Sequence, residues 1–75
     1  MPRLPRISGN ELVRALERLG FVRVRQTGSH VVLKKQTFEG EIGCVVPLHR
    51  ELKIGTLSGV LRQAKVTPQE LLENL

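Results

Sequence analysis

Gly28-Ser29-His30 is the stretch of this chain with the clearest chemical potential. An imidazole gives and takes a proton close to neutral pH, which few side chains do. Arg23 and Arg25 precede it at alternate positions, and Lys34 follows four residues on. Guanidinium and ammonium groups hold a phosphodiester and stabilise the charge that builds on it during displacement. Together these four residues form a minimal set for cleaving RNA without a metal, the 2′-OH attacking its own phosphate while His30 handles the proton. The plainer alternative is a surface strand histidine with no task.

Other candidates are weaker. Lys53-Ile54-Gly55-Thr56 leads into a helix start, where free amides and the helix dipole favour an anion and Lys53 adds a full charge. Simple capping, with Gly55 present for backbone freedom, accounts for the same residues. The tetrapeptide is too short for a nucleoside-triphosphate loop. His49 is a connector histidine that could pair with His30, although the spacing does not require it. Cys44 is in phase with Ile42 and Val46, as a small core residue would be. Ser29 has no Asp at a spacing that suggests a hydrolase triad. Gly40-Glu41-Ile42-Gly43 matches the G-x-x-G of KH domains only as letters.

These residues need elements to position them. Met1 to Ile7, with two prolines and two arginines, reads as an extended arm. Ser8-Gly9-Asn10-Glu11 has the spacing of a capping box, and Leu12, Leu16 and Leu19 recur on one helical face, so a helix is expected over about 9–19. Phe21 to Gln26 alternates, which predicts a strand with Val22 and Val24 inward and Arg23 and Arg25 outward. A turn at Thr27-Gly28 leads to a second strand, Ser29 to Lys35. Val31 and Leu33 should face the core there, and His30, Val32 and Lys34 the opposite side with the arginines. After a loop over 36–41, Ile42 to Pro47 forms a third strand. Leu48 to Gly55 connects it to a helix capped by Thr56 and buried through Leu57, Val60, Leu61 and Ala64. Thr67-Pro68-Gln69-Glu70 opens a short last helix with Leu71, Leu72 and Leu75. The expected fold is α+β. It is one α-β-β-β-α domain over 1–75 plus a short C-terminal helix, its three-stranded antiparallel sheet covered by helices on one face only.

Composition narrows the function classes. The 75 residues carry 12 Lys and Arg against 7 Asp and Glu, a net charge of +5 and an isoelectric point near 10.4. That balance favours a polyanionic partner. Residues 1–35 hold eight basic and two acidic side chains, a balance of +6, whereas residues 36–75 hold four and five, a balance of −1. A two-lobed cleft or a dinucleotide fold does not fit this length. One cysteine and two histidines supply neither a disulfide framework nor a zinc cluster, so no metal or other cofactor is expected, and a reducing cytoplasm is. Apolar runs such as Cys44-Val45-Val46 are too short for a membrane span, and no signal peptide is expected. With Phe21 and Phe38 the only aromatics, there is no stacking platform for single-stranded bases.

Taken in order, Gly28-Ser29-His30, Val46-Pro47-Leu48-His49, Leu52-Lys53-Ile54-Gly55-Thr56-Leu57 and Leu61-Arg62-Gln63-Ala64 resemble the HicA family of toxins. The resemblance runs from Ile7 to about Leu72. It implies a fold like that of double-stranded-RNA-binding domains and the activity of an mRNA interferase, a metal-independent endoribonuclease of toxin–antitoxin systems, with His30 as the essential residue. It also implies a HicB-like antitoxin that covers the active face, forms a hetero-oligomer with the toxin and brings its own DNA-binding segment. Family members often carry an aromatic or a second His just after G-S-H. Here Val31, Val32 and Leu33 follow, so RNA contact must rest on Arg23, Arg25 and Lys34. The competing readings are a non-catalytic module docking on duplex RNA and a protein-interaction domain with an incidental basic face. Thr56-Leu57-Ser58-Gly59 lacks the lysine cluster that duplex binders place at this helix start.

Overall fold

A computed structural model describes residues 3–75. Its elements are α1 (Gly9–Arg18), β1 (Val22–Thr27), β2 (His30–Thr37), β3 (Gly40–Pro47), α2 (Ile54–Ala64) and α3 (Pro68–Glu73). The strands form one antiparallel sheet in the order β1-β2-β3. The fold is therefore the expected α-β-β-β-α with a short final helix.

Local chemistry explains the helix ends. Ser8 and Glu11 form a reciprocal capping box at α1, and Thr67 and Glu70 form another at α3, with Pro68 in its first turn. In both boxes the glutamate accepts the cap residue's backbone amide, which holds its carboxyl below the usual range. Thr56 does not cap α2 as the sequence suggested. The helix starts three residues earlier, at Ile54, with Lys53 as a cap residue that offers no side-chain bond. Gly55 and Thr56 therefore lie inside the first turn.

The core lies between α1, α2 and one face of the sheet. Leu12, Leu16, Leu57 and Leu61 pack with Val31, Leu33, Cys44 and Val46, all buried. Burial pushes the Cys44 thiol up to about 11, which makes it an inert core group. Of the three leucines expected in the last helix only Leu71 enters the core; Leu72 stays exposed, and Leu75 lies beyond the helix end and is exposed.

The first strand departs from its expected phase. Val22 and Val24 are 62% and 52% exposed rather than inward. The register pairs Arg25 with Val32 but Arg23 with Leu33, so Val24 is a bulge. One extra residue flips every side chain before it. The flip carries Phe21 onto the helix side, where it is 3% exposed, in place of Val22. Burying the larger ring removes more apolar surface from water than burying a valine. Arg23 is carried to the helix side as well, and its Nε donates to Glu17 of α1 at 3.3 Å. A bulge also blunts an edge strand against pairing with another chain.

The N-terminal segment is tied down from Leu4 onward, with Met1 and Pro2 of the expected arm outside the described residues. Ile7 is buried, and its carbonyl accepts from Leu52 N–H at 2.8 Å.

Candidate active site

The uncovered face of the sheet presents side chains in rows across the strands, because residues paired in an antiparallel register point to the same side. Thr27, His30 and Pro47 form the first row and Arg25, Val32 and Val45 the second. Val22, Lys34 and Gly43 form the third, and Gln36 and Glu41 close the face. His30 is thus diagonal to Arg25, at roughly 7–8 Å between α-carbons for such neighbours. Lys34 lies two rows away, roughly 13 Å along the strand at about 3.3 Å per residue.

A tight turn aims His30. Thr27 pairs with His30, leaving Gly28 and Ser29 as a two-residue loop. Gly28 has φ +57°, the position where a hairpin of the II′ kind wants glycine. Gln26 donates to the Gly28 carbonyl, and Leu48 N–H donates to the Ser29 carbonyl at 2.6 Å. Gly28 and Ser29 therefore act through the backbone, fixing the start of β2 against the end of β3. The His30 side chain is exposed and makes no hydrogen bond or ion pair among the described residues. Its imidazole is open to solvent.

The rim beside His30 is built by close packing. Gly9 N–H donates to the His49 carbonyl at 2.9 Å. A Cβ on Gly9 would meet the Pro47 carbonyl oxygen and the Leu48 α-carbon far inside van der Waals contact. The start of α1 thus presses on the segment that follows β3. His49 lies two residues beyond Pro47, the register partner of His30, so both imidazoles occupy the same end of the sheet.

The cations divide. Arg25 is on the open face with no ion-pair partner among the described residues, in a groove shared with Val24, Val32 and Lys34. Lys34 is on that face but bonds Glu41 at 3.2 Å, and Gln36 donates to the same carboxylate at 3.0 Å. Arg23 must be taken off this face, for the bulge turns it toward Glu17. Lys53, Gly55 and Thr56 stand apart at the start of α2. Gly55 and Thr56 line a second groove with Val45, Pro47, Gly59 and Arg62, which adjoins the His30 row through Pro47. Sequence reasoning missed Arg62, which donates to Ser58 and belongs to the polar face of α2. The signal was its position off the Leu57-Val60-Leu61-Ala64 stripe.

Among the described residues no three His, Cys, Asp or Glu side chains gather where they could hold a metal ion, and no helix is long and apolar enough to cross a membrane. Residues 9–66 match the family model described as HicA toxin of bacterial toxin–antitoxin. Among curated proteins, none matches the chain.

Proposed function

The chain belongs to the HicA toxin family of bacterial toxin–antitoxin systems, and from that premise we propose that it is an endoribonuclease that cuts mRNA with His30 as general acid–base. The observation that carries the reading is an exposed imidazole at a tight turn, diagonal to an arginine, on a sheet face where, among the described residues, both side chains are unpaired and no helix packs. Neutral His30 takes the proton of a 2′-OH as that oxygen attacks the adjacent phosphorus. The bond to the 5′ oxygen breaks, and the proton returns to that oxygen through the imidazolium or water. The products are a 2′,3′-cyclic phosphate and a 5′-OH, with no net gain or loss of a proton. Arg25 holds the non-bridging oxygens as their charge grows. Lys34, two rows away, meets the next phosphate along the RNA chain by leaving Glu41, a small cost because exposed ion pairs contribute about 0–1 kcal/mol. Lys53 and the amides of Gly55 and Thr56 take a neighbouring phosphate at the start of α2.

A HicB-like antitoxin covering this face explains how the host tolerates the toxin, and cytoplasmic message is the substrate. Induced expression without antitoxin, comparing wild type with His30→Ala, tests the reading. Growth arrest with message decay in the wild type alone is expected. Arrest by both proteins would mean toxicity through binding, and would replace the enzyme with an RNA-binding module.

A further inference from the structure

The reacting face is poorly supplied with free cations, since Arg23 is turned away and Lys34 is engaged. A single-stranded polyanion needs several phosphate contacts to bind at physiological salt. Resting on the ribonuclease reading above, we propose that Arg3 and Arg6, together with Lys53, form a second phosphate-contact surface that holds the RNA flanking the cut.

The segment carrying these arginines is anchored. Leu4 packs against the core, Ile7 is buried, and the Ile7 carbonyl is bonded to Leu52. Arg3 and Arg6 project from it into solvent, next to the Leu4 and Ile7 anchors that hold the segment on the core. They share a groove of about 370 Å³ with Leu4 and Ile54, the residue next to Lys53. Arg3, Arg6 and Lys53 have no ion-pair partner among the described residues. The one acid in the connector, Glu51, makes no ion pair there.

Charge and position point to RNA backbone. Arginine's planar fork matches phosphate oxygens bidentately. The surface lies at the same end of the molecule as His30. Ser29 is bonded to Leu48, His49 to Gly9 and Leu52 to Ile7, so the His30 turn, the connector and the arginine segment run side by side. An RNA chain reacting at His30 crosses that rim to reach Lys53, Arg6 and Arg3. Two of the three helices have an acid in the first turn, but α2 has none and places a lysine at its cap. An anion seated there relieves the unfavourable charge at the dipole's positive end.

The test uses the full chain carrying His30→Ala, so that RNA is bound without being cut. Arg3→Gln with Arg6→Gln is added, and affinity is followed by fluorescence anisotropy against salt. One probe is a long single-stranded RNA and the other an oligonucleotide just spanning the cut. At about 0.7 per single-strand contact, the doubly substituted protein should have a salt slope shallower by about 1.4 on the long RNA, and between roughly 50 and 200 mM salt should lose about seven-fold less affinity than its parent. On the short probe the two proteins should agree, and their thermal unfolding should coincide. An unchanged slope on the long RNA overturns the proposal, as does an equal loss on both probes. Retained RNA slope with lost binding to an acidic peptide would assign the surface to a protein partner instead. If the parent bound neither RNA, the ribonuclease reading would fall first and this surface with it.

Discussion

The two ends of the open sheet face differ in what their polar groups are doing. At the far end Lys34 and Gln36 both spend their hydrogen bonds on Glu41. At the near end His30 and Arg25 bond nothing among the described residues, while the backbone beneath them is fixed by Leu48 and the Gly28 turn. A polar group satisfied within the protein contributes to the fold, and one left open on a rigid base is available to a ligand. On the proposed reading the near end is the reactive one, and the far end, where Lys34 is paired with Glu41, is its self-neutralised border.

His30→Ala should have the largest effect. Removing the proton carrier should slow cleavage by about 10²- to 10⁴-fold. Stability should stay within about 0.5 kcal/mol, because an exposed strand residue supports little packing. Cleavage assays with denaturant unfolding on the same protein check both halves.

Next comes the rim that supports the near end. Gly9→Ala places a methyl group against the Pro47–Leu48 backbone. Overpacking of this kind costs about 1–3 kcal/mol. Gly28→Ala meets no atoms within 4 Å but must adopt φ +57°, so its penalty comes from backbone strain alone. Thermal unfolding should rank Gly9→Ala as the more damaging substitution.

Removing cations from the two ends separately should show the same division. Arg25→Ala should weaken RNA binding by about four-fold near physiological salt, the worth of one single-strand contact. Lys34→Ala should do less, because Glu41 already offsets its charge. Glu41→Gln should tighten binding by releasing Lys34. Equal losses from Arg25→Ala and Lys34→Ala in a filter-binding or anisotropy titration would erase the distinction between the ends.

The smallest effects concern the helix ends. Ser8→Ala and Thr67→Ala should each cost about 1 kcal/mol by removing a cap. Glu11 and Glu70 have carboxyl groups held below 4.5 in the folded chain by bonds to Ser8 and Thr67. Their contribution is present above the unfolded carboxyl range and is lost as pH falls through the folded one. Unfolding at successively lower pH should show that loss, and a Glu11→Gln, Glu70→Gln double variant should not.

Much of this architecture is legible in the sequence because its signals are local. Both capping boxes, the leucine stripe of the first helix and the alternation of Val31 and Leu33 act over a few residues, and the structure bears them out. The failures are tertiary. Nothing in Phe-Val-Arg-Val-Arg announces the bulge, which arises because Phe21 competes with Val22 for one core position. That competition also decided the place of Arg23. Thr56 is a good cap residue by type, yet the helix begins at Ile54 and takes Thr56 into its first turn. For the candidate site, the sequence placed His30, Arg25 and Lys34 on one face. It did not show that Glu41 engages Lys34, a cross-strand pairing that only the register of β2 against β3 creates.

The most direct test of the central claim is the chemistry of the cut. Purified wild type and His30→Ala would be incubated with an mRNA fragment and with the same RNA carrying a 2′-deoxynucleotide at the cleavage position, in the presence of a metal chelator. Wild type should cut to a 2′,3′-cyclic phosphate and a 5′-OH and leave the deoxy position intact, and the folded His30→Ala protein should cut almost nothing. Cleavage of the deoxy substrate, or undiminished cleavage by His30→Ala, would contradict that claim.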